Sequence, residues 1–121
     1  MIDEWIKEIK ENCAAESLGM ILVHNGIVRG TSKEGKPVSG MKLSYDRDAL
    51  ESCVAQLKKR EGIAAIRVWI NSGILNIGDN IMYLLVAGRF RTDVLPVLQE
   101  LLSAVKNEIV LEEEIKLSKL P

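Results

Sequence analysis

Four cations stand where this sequence passes from one structural pattern to the next: Arg29 after an apolar run, Arg89 and Arg91 ahead of the last helical stretch, and Lys106 at that stretch's end. Arginine presents a planar fork that grips phosphate or carboxylate through two parallel hydrogen bonds. Lysine offers a compact charge that can also attack or carry a proton. Gathered by a fold, these groups would make a site for an anion. Left apart, they are solvated element ends, each worth little. Both readings are open at this level. Other chemistries are poorer fits. His24 is the sole histidine, so Ser-His-Asp catalysis needs a nucleophile beside it, and nothing in the sequence puts one there. Its place at the end of an apolar run predicts a strand residue near the surface or bonded to backbone. Cys13 and Cys53 lie far apart in helical patterns without neighbouring ligands, which excludes a zinc motif and predicts two small core hydrophobes. Gly73 and Gly78 frame a turn, but no Gly-Lys-Ser/Thr phosphate loop and no GxGxxG opening a helix is present.

The elements that must position these groups follow from periodicity. Ile2, Trp5, Ile6, Ile9 and Cys13 recur at helical spacing, with Asp3 and Glu4 in a first turn that favours carboxylates. Met20 to His24 reads as a strand, and Asn25-Gly26 before Ile27-Val28 predicts a hairpin or bulge at Gly26. Gly30 to Pro37 is polar and reads as an exposed, mobile loop. Met41, Leu43 and Tyr45 alternate with polar residues as in a half-buried strand. A helix follows, capped by Asp46 or Asp48, carrying Leu50, Cys53, Val54 and Leu57, and closed near Gly62. Ile66, Val68 and Ile70 make a third strand, turned by Asn71-Ser72-Gly73. Ile81 to Ala87 is apolar throughout and should be central. The last helix is expected to start with Asp93 as its cap, placing Pro96 in the first turn, with Val94, Leu95, Leu98, Leu101, Leu102 and Val105 buried. Ile109 to Leu111 reads as a short strand, followed by Glu112-Glu113-Glu114 and a tail to Pro121. The order predicts a two-layer α+β fold, a mixed or antiparallel sheet with three helices, in one domain over residues 1–121.

Composition narrows the function classes. At 121 residues, with 47% hydrophobic and 27% charged, the chain has the profile of a folded domain that buries roughly two thirds of its unfolded surface. A net charge of -1 argues against nucleic acid as a partner. The longest apolar run, Ile81 to Gly88, falls far short of the roughly 20 residues of a membrane span. The opening Met1-Ile2-Asp3-Glu4-Trp5 lacks the basic head and apolar stretch of a secretory signal, which predicts a cytoplasmic protein.

Two motifs carry a resemblance. Gly26-Ile27-Val28-Arg29 ends the first strand as a Gly-x-Val-Arg element, and Gly73-Ile74-Leu75-Asn76-Ile77-Gly78-Asp79 is a Gly-x-Leu-x-x-Gly-Asp turn before a central apolar strand. Over approximately Gly19 to Lys106 the chain resembles the large subunit of molybdopterin synthase. Read without gaps, that family's His-Arg pair falls on Phe90-Arg91 and its first catalytic lysine on Lys106. The resemblance implies sulfur transfer: a ubiquitin-like small subunit inserts its C-terminal Gly-Gly thiocarboxylate beside a cyclic pyranopterin monophosphate, and two sulfurs are delivered to form the dithiolene. Arg29 and Arg91 would bind phosphate, and Lys106 would serve the thiocarboxylate and substrate. No cofactor or metal is implied. The large subunits of that family form a central homodimer, so the two copies can share a pocket.

The departures are as specific as the matches. Phe90 replaces the family's histidine, Asp46-Arg47-Asp48-Ala49-Leu50 stands for its Tyr-x-x-Met-Ala, and its second lysine falls on Glu113 within Leu111-Glu112-Glu113-Glu114. A carboxylate there should repel both phosphate and tail. Two functions therefore follow: a divergent sulfur-transferring enzyme, or a noncatalytic dimeric paralogue that keeps a groove for the small subunit.

Overall fold

A computed structural model describes residues 1–116, so the end of the expected tail to Pro121 lies outside the described residues. Helix α1 (Ile2–Asn12) leads through a short 3-10 turn (Ala15–Ser17) into β1 (Met20–Ile27). Then come β2 (Val38–Tyr45), α2 (Arg47–Lys58), β3 (Ile63–Ile70), β4 (Gly73–Asn76) and β5 (Asn80–Gly88). Helix α3 (Arg91–Ala104) runs into one π-helical turn (Val105–Ile109) and then β6 (Val110–Lys116). The α+β class with three helices and antiparallel pairing holds, and the strands divide between two sheets, ordered β1-β5-β3 and β4-β2-β6.

The first sheet is organised by β5. Its lack of any polar alternation suits a strand hydrogen-bonded on both edges and covered on both faces. Leu84, Leu85, Val86 and Ala87 have no exposed surface; complete burial of a Leu or Val stabilises by about 1.5–3 kcal/mol relative to exposure. Leu84 and Val86 point into the main core with Val94, Val97, Leu101 and Val105 of α3 and its π turn. Leu85 and Ala87 point the other way, against Ile9 of α1. In β1 the expected irregularity is a bulge: the register against β5 slips between Gly26 and Ile27.

Several local expectations change. Asp46 is the cap of α2, accepting a hydrogen bond from the Ala49 N–H at 3.1 Å. Gly62 lies beyond the Lys59 cap and turns the chain into β3 with φ +82°. Gly73–Asn76 is a strand, β4, paired with β2 from Gly40↔Asn76 to Leu43↔Gly73; four residues are too few for an alternation signal. Helix α3 starts at Arg91 with Phe90 as a cap that makes no side-chain bond. Asp93 therefore sits in its first turn, where it accepts from Arg89 Nε at 2.9 Å, and Pro96 is the sixth helical residue, past the first turn. Val97 is buried where Leu95 was expected, and Leu95 is exposed. Cys13 and Cys53 are free and only partly buried, each packed at a core's margin.

Candidate functional site

The Gly-x-Leu-x-x-Gly-Asp segment is a clamp on the residue before Arg29. Asn76 to Asp79 close a turn through the Asp79 N–H to the Asn76 carbonyl at 3.0 Å, while the Asp79 carboxylate accepts from the Asn76 N–H at 2.8 Å. Gly78 supplies the φ of +91° that the third position of such a turn requires. Its N–H then donates to the Val28 carbonyl at 2.9 Å, and the Val28 N–H donates to the Asp79 carbonyl at 2.9 Å. With Val28 buried and bonded on both sides, exposed Arg29 leaves the end of β1 in a set direction.

That direction is a cavity of 580 Å³. It is lined by His24, Gly26 and Arg29 from the β1 end, Lys33 and Glu34 from the following loop, Met41 from β2, Lys106, and Glu112 and Glu114 from β6. Lys106 arrives because α3 widens into the π turn: Val105 and Ile109 are buried there, and Lys106 between them is exposed. The loop is folded back by a bridge between Thr31 and Pro37 and by the Ser32 N–H to Lys36 carbonyl bond at 2.8 Å. A shallower hollow between α2 and β3, lined by Tyr45, Leu50, Val54 and Val68, holds none of the expected cations.

Arg29 and Lys106 thus share one cavity. Arg91 does not line it. It begins α3, and Lys106 follows the end of the same helix, so at about 1.5 Å per residue the two lie roughly 20 Å apart along the axis. One phosphate cannot bridge both within a single chain. Arg89 is structural: it binds Asp93 at 2.9 Å and Glu61 at 3.2 Å, hydrogen bonds that raise its pKa further, and its guanidinium stands 5.2 Å from the Phe90 ring centre. Phe90 itself is 60% exposed.

Glu113 does not line the cavity either. Residues opposite one another on neighbouring strands share a face, and Glu113 pairs with exposed Lys42, whereas Glu112 pairs with Leu43 and Glu114 with Met41, both buried. The carboxylates that enter the cavity are those of Glu112 and Glu114. Three cations (Arg29, Lys33, Lys106) thus meet three carboxylates (Glu34, Glu112, Glu114). Of these six, only Glu34 makes an ion pair with a described residue, and that is with Lys36 outside the cavity at 4.0 Å.

His24 was expected at the surface or on backbone, but its side chain reaches this cavity. Burial lowers its pKa, and the Lys106 charge lowers it further, so the imidazole is neutral at pH 7 and can both donate and accept. Period-two counting from Arg29 would have missed it, because the bulge at Gly26 resets the faces. For β6 a signal existed: alternation continued from Val110 puts Glu112 and Glu114 on one side and Glu113 on the other. Among the described residues no group of His, Cys, Asp and Glu is arranged to hold a metal ion.

A model of the MoaE protein family matches residues 3–108. Among solved structures, molybdopterin synthase from Staphylococcus aureus is 20% identical, with a TM-score of 0.72 over 93% of this chain and 85% of that one. Molybdopterin cofactor biosynthesis protein E from Burkholderia multivorans ATCC 17616 is 19% identical, TM-score 0.74, over 97% and 82%. A protein-protein complex of subunits 1 and 2 of the molybdopterin-converting factor from Helicobacter pylori 26695 contributes a chain 18% identical, TM-score 0.68, over 98% and 84%. At these identities the likeness establishes the fold. No curated protein matches the chain. The family match stops at residue 108, so β6 and its carboxylates lie beyond it.

Proposed function

Because the chain belongs to the MoaE protein family, we propose that it serves molybdenum cofactor biosynthesis as the large subunit of a molybdopterin synthase, transferring sulfur from a thiocarboxylated small subunit to cyclic pyranopterin monophosphate. The observation that carries this reading is the meeting of Arg29 and Lys106 in one cavity, with Val28, the residue before Arg29, held by the turn that the resemblance singled out. The guanidinium of Arg29 suits the substrate phosphate, and Lys106 suits the thiocarboxylate and the proton movements at the carbons receiving sulfur. Each transfer leaves the small subunit with a carboxylate, its new oxygen taken from water. The Helicobacter pylori structure, a complex of two subunits, supports a small-subunit partner for this chain as well.

Arg91 has a role in this scheme if a second copy is present, because a cation too far from its own cavity can complete the partner's. A homodimer is supported by the outer face of the β4-β2-β6 sheet. Ile74 is 73% exposed and Leu111 61%, around the cross-strand neighbours Lys42 and Glu113, a charge pair that a two-fold axis makes self-complementary.

A second reading, the noncatalytic dimeric paralogue, is favoured by the three carboxylates that offset the cavity's three cations and by Phe90 where the resemblance expects histidine. One assay separates the two. The purified chain is mixed with a thiocarboxylated small subunit and the cyclic pterin, and dithiolene product is measured. Product that disappears in Lys106→Ala supports the enzyme. No product, from a small subunit competent with an authentic large subunit, supports the paralogue.

A further inference from the structure

The carboxylates of Glu112 and Glu114 differ from an ordinary acidic surface run in their company. They enter a cavity that also holds Arg29, Lys33, Lys106 and a His24 imidazole, and among the described residues neither pairs with any of those cations. Both signs of charge thus face one volume of 580 Å³ without neutralising each other by contact. A site of this kind is matched by a ligand that is itself dipolar, with an anionic end and an end rich in N–H donors. Cyclic pyranopterin phosphate has both. Opposite its phosphate, the 2-amino-4-oxo-pyrimidine ring presents a ring N–H and an exocyclic amino group side by side, the donor pair that one carboxylate accepts in a bidentate way.

We infer, resting on the pterin site proposed above, that Glu112 and Glu114 bind the N–H edge of the aminopyrimidinone ring while Arg29 takes the phosphate. β6 presents the two carboxylates on one face, at i and i+2, about 7 Å apart along the strand. Either can approach the ring edge, and the donors relieve the repulsion between the two. The carboxylates then set which ring the cavity accepts, in a strand that lies outside the family match. Glu113, on the opposite face, takes no part.

The test uses the full chain and three probes in calorimetric titrations at low salt. GMP carries a phosphate and the same donor edge, IMP lacks only the exocyclic amino group, and ribose 5-phosphate lacks the ring. GMP is expected to bind about ten-fold more tightly than IMP, the effect of one charge-assisted hydrogen bond. In Glu112→Gln/Glu114→Gln that preference should fall to nearly one, and in Glu113→Gln it should stay. The double variant should bind ribose 5-phosphate at least as well as the native chain does, which also shows that it is folded. Ribose 5-phosphate binding without a GMP preference, or a preference that survives the double variant, overturns the assignment of the carboxylates and leaves the phosphate site standing. Binding of none of the three probes overturns the pterin phosphate site and this assignment with it.

Discussion

Reversing one charge in β6 is the sharpest test of which face looks into the cavity. Taken as a sphere, 580 Å³ is about 10 Å across, so a charge on one wall acts on a phosphate at the other across roughly that distance. Glu112→Lys changes the wall by two charges. Against a dianionic phosphate monoester, in a mouth filled with water, Coulomb's law gives about 1.7 kcal/mol, or roughly fifteen-fold in affinity. Screening over 10 Å lowers this to roughly seven-fold at 0.01 M salt and about two-fold at 0.15 M. Glu113→Lys makes the same change of charge on the solvent face beside Lys42, and should alter affinity by less than about two-fold at either salt concentration. The measurement is an NMR titration of each variant with ribose 5-phosphate, which tolerates millimolar dissociation constants. A gain in Glu113→Lys equal to or larger than that in Glu112→Lys would refute the assigned faces and return the second-lysine position to Glu113.

Three other outcomes are expected. Gly78→Ala places a side chain at φ +91° and should cost about 1–2 kcal/mol in urea unfolding, with a loss of phosphate affinity as Val28 and Arg29 shift; unchanged stability and affinity would remove the clamp argument. His24 has a pKa lowered by burial and then by Lys106, so between its ordinary value of 6.5 and its lower folded value the unfolded chain binds more protons. Its contribution to stability is complete above pH 6.5 and fades as pH falls through the folded value, and His24→Phe should flatten that part of the pH–stability curve. Leu111→Glu sets a carboxylate on the exposed apolar face of the second sheet and should reduce the mass measured by light scattering to that of one chain; a native chain already monomeric at tens of micromolar would discard the dimer face.

Much of the fold was legible because it is written in local periodicity. The apolar continuity of Ile81 to Ala87 announced a strand buried on both faces, and β5 is that strand, fully buried from Leu84 to Ala87. The spacing of Ile2, Trp5, Ile6 and Ile9 announced α1, and Asp46 was one of two caps named for α2. Failures fell where competing local signals tie. Asp93 is as good a cap as any by residue type, but its carboxylate is claimed by Arg89, and the helix starts three residues earlier than a cap at Asp93 allows, on an uncapped Phe90. β4 is too short for a period, and its strand character comes from β2 lying beside it.

For the candidate site, residue types and chain order determined that Arg29 and Lys106 are cations at element ends and that the Gly-Asp turn precedes the central strand. Those properties belong to single residues or short segments, and a sequence carries them without folding. Which cations meet was decided only in three dimensions. Arg91 and Lys106 bracket one helix, and a rigid rod holds its ends apart, whereas Arg29 and Lys106, far apart in sequence, are joined because α3, which ends in the π turn carrying Lys106, packs across β1. The side chosen by each glutamate of β6 is likewise tertiary. A strand's faces are fixed by its neighbour's register, and one residue of slip would exchange Glu113 for Glu112 and Glu114.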